Sequence, residues 1–131
     1  MIQQFIDLFK KSEDKQYRVL LNSDVQRFEL VYGDLIIGYL EVYNAKWKFY
    51  YSDIFKRSQD FNYISGFSDL NKIYESDSLW PFFKIRIPGL SQPRIKKTLE
   101  KEAISSDDEL ALLKRFGKKS ISNPYLLIPI S

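Results

Sequence analysis

The sequence predicts a small α+β fold: an antiparallel β-meander or partly closed barrel with C-terminal helices, plus an N-terminal amphipathic helix. Strand-type patterns dominate residues 28–51, helix-type patterns follow in 93–116, and a length of 131 residues suits one domain. Aromatic residues make up 16% of the chain, so we expect a core built largely from Phe and Tyr.

The first predicted element is an amphipathic helix over residues 2–15. Its apolar residues recur at helical spacing, and charged residues lie between them. Two interpretations stay open, because the apolar face could pack on its own domain or dock in the groove of a partner. A connector follows, so we divide the chain into 1–25, the helix and connector, and 26–131, the folded domain.

The meander is predicted from three consecutive strand-type segments. FELVY and LIIGYLEVY flank Gly33 and Asp34, which suit a hairpin turn. WKFYY follows Asn44 and Ala45, and its alternating pattern indicates a strand with one buried face. Gly38 lies inside the middle strand, where glycine is typical of a bend or bulge.

Residues 52–78 show no clear period, but their frequent aromatic residues indicate a packed loop, with a helical turn at 69–75. In LWPFFKIRIPG, a short helix can begin at Pro81, because proline suits the first helical turn. We expect the two phenylalanines that follow to be core residues. Trp80 is either a core residue or an interface anchor, the type often found at binding hot spots.

Two further helices and a strand are predicted near the C-terminus. The first helix covers 93–103 and begins with a proline. For the second, SDDE from Ser106 to Glu109 fits a capping box, and Gly117 suits the residue beyond the last turn. YLLIPI predicts an edge strand or a short element, because Pro129 cannot donate to a strand ladder.

The composition argues against most catalytic chemistry. The chain contains no Cys and no His, which excludes disulfides and thiolate sites and removes the usual general base. Its glycines form no phosphate-binding loop motif, and its aspartates do not match a calcium loop. We therefore expect no catalytic residues, no cofactor and no metal. An enzyme that uses Asp, Glu, Lys or Tyr alone is the weakest alternative.

The net charge of +3 comes from 20 basic and 17 acidic residues that are mixed along the chain. Basic clusters at 96–101 and 114–119 are either solvated helix faces or contacts for DNA or an acidic partner. No helix-turn-helix or RNA-binding signature is recognisable, so direct sequence-specific nucleic-acid binding is not expected. Without a secretory signal or an apolar run of about 18 to 20 residues, we expect a cytoplasmic protein with no membrane contact.

The order of these segments resembles the N-terminal domain of HipA-type kinases. The resemblance covers roughly Phe28 to Pro129 and is carried by FELVYGDLIIGYL, WKFYYSD, GFSDLNKIY, LWPFFKIRIPG, ELALLKRFG and ISNPYLLIP. Its most specific parts are Phe82 to Pro88 and the tail from Leu113. In HipA-type kinases, this small α+β domain precedes a Ser/Thr kinase body.

No kinase catalytic loop and no DFG-like motif are recognisable in the sequence. The chain therefore resembles a stand-alone copy of the domain, HipS, which acts as antitoxin to a separate kinase, HipT, while HipB supplies DNA binding. The resemblance implies a non-enzymatic antitoxin-like regulator that inhibits a HipA- or HipT-type kinase, with a HipB-like helix-turn-helix protein as a further partner. The alternative is a scaffold or DNA-associated accessory subunit of a repressor complex. The expected partner-binding residues are Asp77, Ser78, Leu79, Trp80 and Arg86.

Overall fold

The structure, a computed structural model, describes residues 25–58 and 62–130, so the helix predicted for 2–15 lies outside the described residues. The described chain has the predicted α+β fold, with helices and one antiparallel sheet. Its elements are β1 (Gln26–Tyr32), β2 (Leu35–Tyr43), β3 (Lys46–Tyr51), α1 (Asp53–Arg57), β4 (Tyr74–Ser76), α2 (Pro81–Lys84), α3 (Pro93–Glu102), α4 (Glu109–Phe116) and β5 (Leu126–Ile130).

The five strands lie in the order β4-β3-β2-β1-β5, and every neighbouring pair is antiparallel. The predicted meander of β1, β2 and β3 is confirmed. Within 25–58 and 62–130, β4 and β5 each pair with one strand, so the sheet is open and does not close into a barrel. β5 is the predicted edge strand, and its Pro129 lies opposite Phe28 of β1.

The hairpin turns use left-handed backbone conformations. Gly33 has a φ of 59°, and in the second turn Asn44 and Ala45 have φ values of 52° and 64°. Two successive left-handed residues match a type I′ turn, whose twist fits the twist of the flanking strands. The Tyr43–Lys46 pair closes this turn and sets the register of β3. Alternate side chains of β3 are therefore buried.

The irregularity predicted at Gly38 is present as a bulge. After the Leu30–Gly38 pair the register between β1 and β2 shifts, which leaves Ile37 as the extra residue of β2. A Cβ atom at Gly38 would lie 2.6 Å from the Tyr50 carbonyl oxygen of β3. Glycine is needed here because β3 approaches the backbone of β2 so closely.

The loop after β3 begins with a short helix that the sequence did not indicate. Ser52 caps α1, because its hydroxyl accepts a hydrogen bond from the Phe55 N–H at 3.1 Å. The same hydroxyl donates to the Ile36 carbonyl of β2 at 2.6 Å. The cap therefore also fixes α1 to the sheet.

The helical turn that 69–75 could hold is reduced to a single turn, in which the Lys72 N–H donates to the Asp69 carbonyl at 3.3 Å, and no helix follows. The Asp69 carboxylate accepts from the Asn71 N–H at 2.9 Å, which makes an Asx-turn, and the chain then enters β4 at Tyr74. The Tyr74 ring packs edge-on against Phe67 at 5.0 Å, and its hydroxyl accepts from the Asp69 N–H at 2.7 Å. Together with the pairing of Tyr74 with Phe49 of β3, these contacts hold Tyr74 in an extended segment despite the helical spacing of its neighbours.

The helices predicted at Pro81 and at Pro93 are confirmed. The capping box predicted from Ser106 to Glu109 is wrong in position, because α4 is capped by Asp108, whose carboxylate accepts from the Ala111 N–H at 3.0 Å. Glu109 instead forms an ion pair with Lys84 of α2 at 3.2 Å.

Gly117 ends α4, as predicted, but for a different reason. Its φ of −86° is not left-handed, so freedom of the backbone is not what selects glycine here. A Cβ atom would lie 2.4 Å from the Leu113 carbonyl oxygen, which accepts the Gly117 N–H at 2.8 Å. Lack of space selects glycine.

The main core lies between one face of the sheet and the segment 62–83. Aliphatic and aromatic residues contribute in nearly equal numbers, but the aromatic ones are the largest, and the largest fully buried members are Phe28, Phe49, Tyr51, Phe67 and Phe83. A smaller cluster of Ile95, Leu99 and Leu112 joins α3 to α4.

Tyr51 connects β3 to the loop that follows it. Its hydroxyl donates to the Phe67 carbonyl at 2.6 Å and accepts from the Ile64 N–H at 2.9 Å. The side chain is only 2% exposed, and burial raises the pKa of Tyr51 from 10.0 to about 12. One buried hydroxyl therefore satisfies two backbone groups in a loop with little regular structure.

We predict that Tyr51→Phe lowers the free energy of unfolding by about 1 to 3 kcal/mol, because two buried backbone groups lose their partner. The raised pKa gives this contribution a pH dependence: it is fully present below the unfolded pKa of 10.0 and is lost as pH rises through about 12. The gap between wild type and variant should therefore shrink in that range.

Urea unfolding at several pH values measures this gap. Tyr43→Phe is the matched control, because Tyr43 is 39% exposed at the end of β2. Equal stability of Tyr51→Phe and the wild type at neutral pH would contradict the role of the hydroxyl.

Candidate functional site

An apolar groove lies where α2 meets the connection between α4 and β5. We call it the Trp80 groove; it encloses about 540 Å³ and is lined by Ser65, Gly66, Phe67, Trp80, Pro81, Phe82, Ile85, Ser122 and Asn123. Its central residues are aromatic or aliphatic, whereas serine and asparagine side chains supply polar atoms. An apolar centre with a polar rim is the usual anatomy of a protein interface.

Trp80 is held in place by the start of α2. It has extended backbone angles, φ −67° and ψ 149°, as expected for a residue before proline, and its carbonyl accepts from the Phe83 and Lys84 N–H groups. Its ring packs edge-on against Phe67 with centroids 5.2 Å apart. The side chain is therefore half-buried, anchored on the core but still part of the groove wall.

Ile85 and Phe82 enlarge the apolar surface of the groove. Ile85 is 60% exposed and follows α2 directly. Phe82 is half-buried between Phe83 and Tyr125, at centroid distances of 5.1 and 6.1 Å. Sequence reasoning missed Ile85, because the pattern FFKIRIPG does not tell which of its isoleucines turns outward.

The other residues expected at a partner interface do not join Trp80 in the groove. Leu79 is 3% exposed and belongs to the core, so its side chain contributes to packing. Asp77 and Ser78 are exposed, but neither lines the groove. Asp77 lies 3.8 Å from Lys46, in an ion pair that water screens almost completely.

Arg86 is a buried clamp and not an exposed contact. Only 4% of the residue is exposed. Its Nη1 donates to the Gly117 and Lys118 carbonyls at 3.1 and 3.2 Å. Its Nη2 donates to the Asn123 side-chain oxygen at 3.0 Å and to the Tyr125 carbonyl at 2.9 Å. Arg86 thus fixes the connection between α4 and β5, which supplies the polar rim of the groove.

The electrostatics of Arg86 are unusual for a buried cation. Among the described residues no carboxylate pairs with it, and burial lowers the pKa of its guanidinium to about 10. Its partners are neutral oxygens 31 to 39 positions away in sequence. Such a clamp leaves no local sequence pattern, so the sequence alone does not distinguish Arg86 from a surface contact.

In the part of the chain that the structure describes, no group of three or more acidic side chains is arranged to hold a metal ion. Within 25–58 and 62–130, no helix has the length and apolar character that crossing a membrane requires.

No family model, curated protein or solved structure matches the chain. The resemblance to the N-terminal domain of HipA-type kinases therefore stays a prediction.

We predict that Arg86→Met lowers the free energy of unfolding by about 3 kcal/mol, because buried carbonyls lose charged donors. Hydrogen exchange should also accelerate in 118–125, the segment that Arg86 holds. Arg94→Met, a change of an exposed arginine on the neighbouring helix, is the control for urea unfolding and exchange. Equal stability of the two variants would contradict the clamp.

Proposed function

We propose that this protein is a non-catalytic, antitoxin-like regulator that binds a separate HipA- or HipT-type Ser/Thr kinase through the Trp80 groove and inhibits it. The observation that carries the docking surface is the half-buried Trp80 beside the 60% exposed Ile85, at a groove with an apolar centre. The resemblance to the N-terminal domain of HipA-type kinases supplies the kind of partner.

The way Trp80 is held favours tight docking. Its ring already rests on Phe67 and Phe83, at centroid distances of 5.2 and 6.4 Å, so little side-chain freedom remains to be lost on binding. Tryptophan is enriched at binding hot spots because it buries a large area and keeps a polar N–H. A pre-organised Trp80 is therefore a suitable anchor.

The groove also limits what the partner presents. A space of about 540 Å³ holds a few side chains, which suits a protruding loop or short helix of the kinase. Apolar side chains of that segment would cover Trp80 and Ile85, and its polar backbone would meet the groove's serine and asparagine side chains. Binding of this kind needs no cofactor, metal or catalytic group on the regulator.

The proposal includes a non-enzymatic role in the cytoplasm, where the kinase would act. The non-enzymatic role is supported by the structural roles of two buried polar side chains. Tyr51 and Arg86 form hydrogen bonds with backbone groups, and neither residue lines the groove. Association with a HipB-like DNA-binding protein would follow from assembly of the same complex.

We predict that co-expression with a HipA-type kinase encoded beside it suppresses toxicity and allows co-purification. Trp80→Ala should weaken docking by about 2 kcal/mol or more if Trp80 is a hot spot. Because Trp80 also contacts the core, Ile85→Asp is the cleaner variant: it places a charge on an exposed groove residue and should weaken docking similarly.

Tyr43→Ala, at the end of β2 and outside the groove, is the matched control and should bind normally. Each variant is first checked for cooperative unfolding. Unchanged toxicity and no co-purification with the wild type would refute the kinase partner. Full affinity of both Trp80→Ala and Ile85→Asp would refute the groove but not the partner. Salt-dependent DNA binding without kinase inhibition would instead favour the accessory-subunit function.

A further inference from the structure

A second concave surface lies between α3 and α4, away from the Trp80 groove. This arginine pocket encloses about 370 Å³, and its walls include Arg86, Arg94, Ile95, Thr98 and Arg115. It shares no lining residue with the Trp80 groove. We propose that the arginine pocket binds the dianionic group of a phosphate monoester. This inference does not depend on the proposed kinase partner.

Among the described residues, carboxylates balance only part of the positive charge around the pocket. Glu102 neutralises Arg115 through hydrogen bonds of 2.8 and 3.1 Å. Among the described residues, no ion pair involves Arg86 or Arg94, so three guanidinium groups against one carboxylate leave two positive charges. A phosphate monoester carries nearly two negative charges at neutral pH, and its oxygens match the planar fork of arginine.

Arg86 gives an independent reason to expect an anion. The residue is 4% exposed, and although both Nη atoms have protein partners, the buried Nε has none. A buried cation without a counter-charge is costly, and an oxyanion in the pocket would offset that cost. The Nε atom has no accessible surface and the Nη donors are engaged by the protein, so Arg86 would act on an anion in the pocket through its positive charge and not through a direct hydrogen bond.

The first turn of α3 adds to the positive potential near the arginine pocket. This 10-residue helix begins at Pro93, the Gln92 side chain makes no capping hydrogen bond, and the first turn contains no acidic residue. Its early N–H groups therefore lack a side-chain acceptor, and the positive end of the helix dipole is uncompensated. Arg94, Ile95 and Thr98 place one face of the first turns of α3 in the pocket wall, so the helix dipole adds to the positive potential there.

The shape of the pocket favours a small phosphate group over a nucleic acid. Proteins that bind nucleic acids usually place basic residues along a groove or stripe that follows the backbone, whereas here the three arginines line one small, open pocket. The shared chemistry is the monoester group, which can be free phosphate or a phosphorylated side chain. The experiment has to separate these two sources.

The test is a titration of the ¹⁵N-labelled full chain at constant ionic strength, above the second phosphate pKa of about 6. The probes are inorganic phosphate, O-phosphoserine and the diester dimethyl phosphate. We expect saturable shifts of the amides of 94–98 with inorganic phosphate and O-phosphoserine. Tighter binding of O-phosphoserine would assign the pocket to phosphorylated side chains, and tighter binding of inorganic phosphate to free phosphate.

Two exposed residues of α3 make a matched pair for this titration. Arg94→Gln should raise the Kd for inorganic phosphate at least about tenfold, because a charged donor is lost from the pocket. Lys97→Gln, which changes an exposed residue outside the pocket lining, should leave the Kd unchanged. The proposal is overturned by equal effects of the two variants, by no saturation up to about 10 mM phosphate, or by equally tight binding of dimethyl phosphate.

Discussion

The structure depends on the burial of Phe67 among the aromatic side chains of the sheet and of α2. Phe67 is 1% exposed, and its ring lies 4.6 Å from Phe49 and 5.2 Å from Trp80. The described part of the connection between β3 and α2 contains little regular structure, so its backbone has few hydrogen-bond ladders to define it. At Phe67 the backbone is instead held by aromatic packing of the side chain and by the Tyr51 hydroxyl, which donates to the Phe67 carbonyl.

The Trp80 groove is a consequence of this packing. The Trp80 ring packs on the buried Phe67 ring, and Pro81 restricts the backbone of Trp80 to an extended conformation at the start of α2. On the other side, Arg86 holds the connection that carries Ser122 and Asn123. One wall is thus fixed by apolar packing and the other by charged hydrogen bonds, which together give a pre-organised surface. The docking proposal combines this geometry with the predicted resemblance to HipA-type kinases.

The parts of the fold that depend on local patterns could be predicted from the sequence. The β2 segment was predicted with its observed bounds, and Pro81 and Pro93 marked helix starts, because alternation and proline geometry act over a few residues. β4 could not be found this way, since Tyr74 is extended through its pairing with Phe49 of β3 and its contacts with Phe67 and Asp69, all set by tertiary structure or by neighbours outside any strand pattern. The capping box failed because SDDE offers several acceptors, and Asp108 was the one used.

The candidate site was less predictable than the fold. Trp80 could be singled out because its position before a proline is visible in the sequence. Leu79 and Arg86 also lie close to a proline, each two positions before it. Their burial, however, depends on partners that are distant in the sequence. Ile85 became part of the groove only because α2 ends where it does. The resemblance to HipA-type kinases and the regulatory function stay predictions.

The central claim, that the Trp80 groove is where a HipA-type kinase docks, is tested most directly by hydrogen exchange with and without the kinase. Docking at the groove should slow exchange in 65–67, 82–85 and 122–123, while the outer sheet face around Tyr39 and Tyr50 keeps its rates. Protection of that face with unchanged rates in the groove, or no protection at saturating kinase, would contradict the claim.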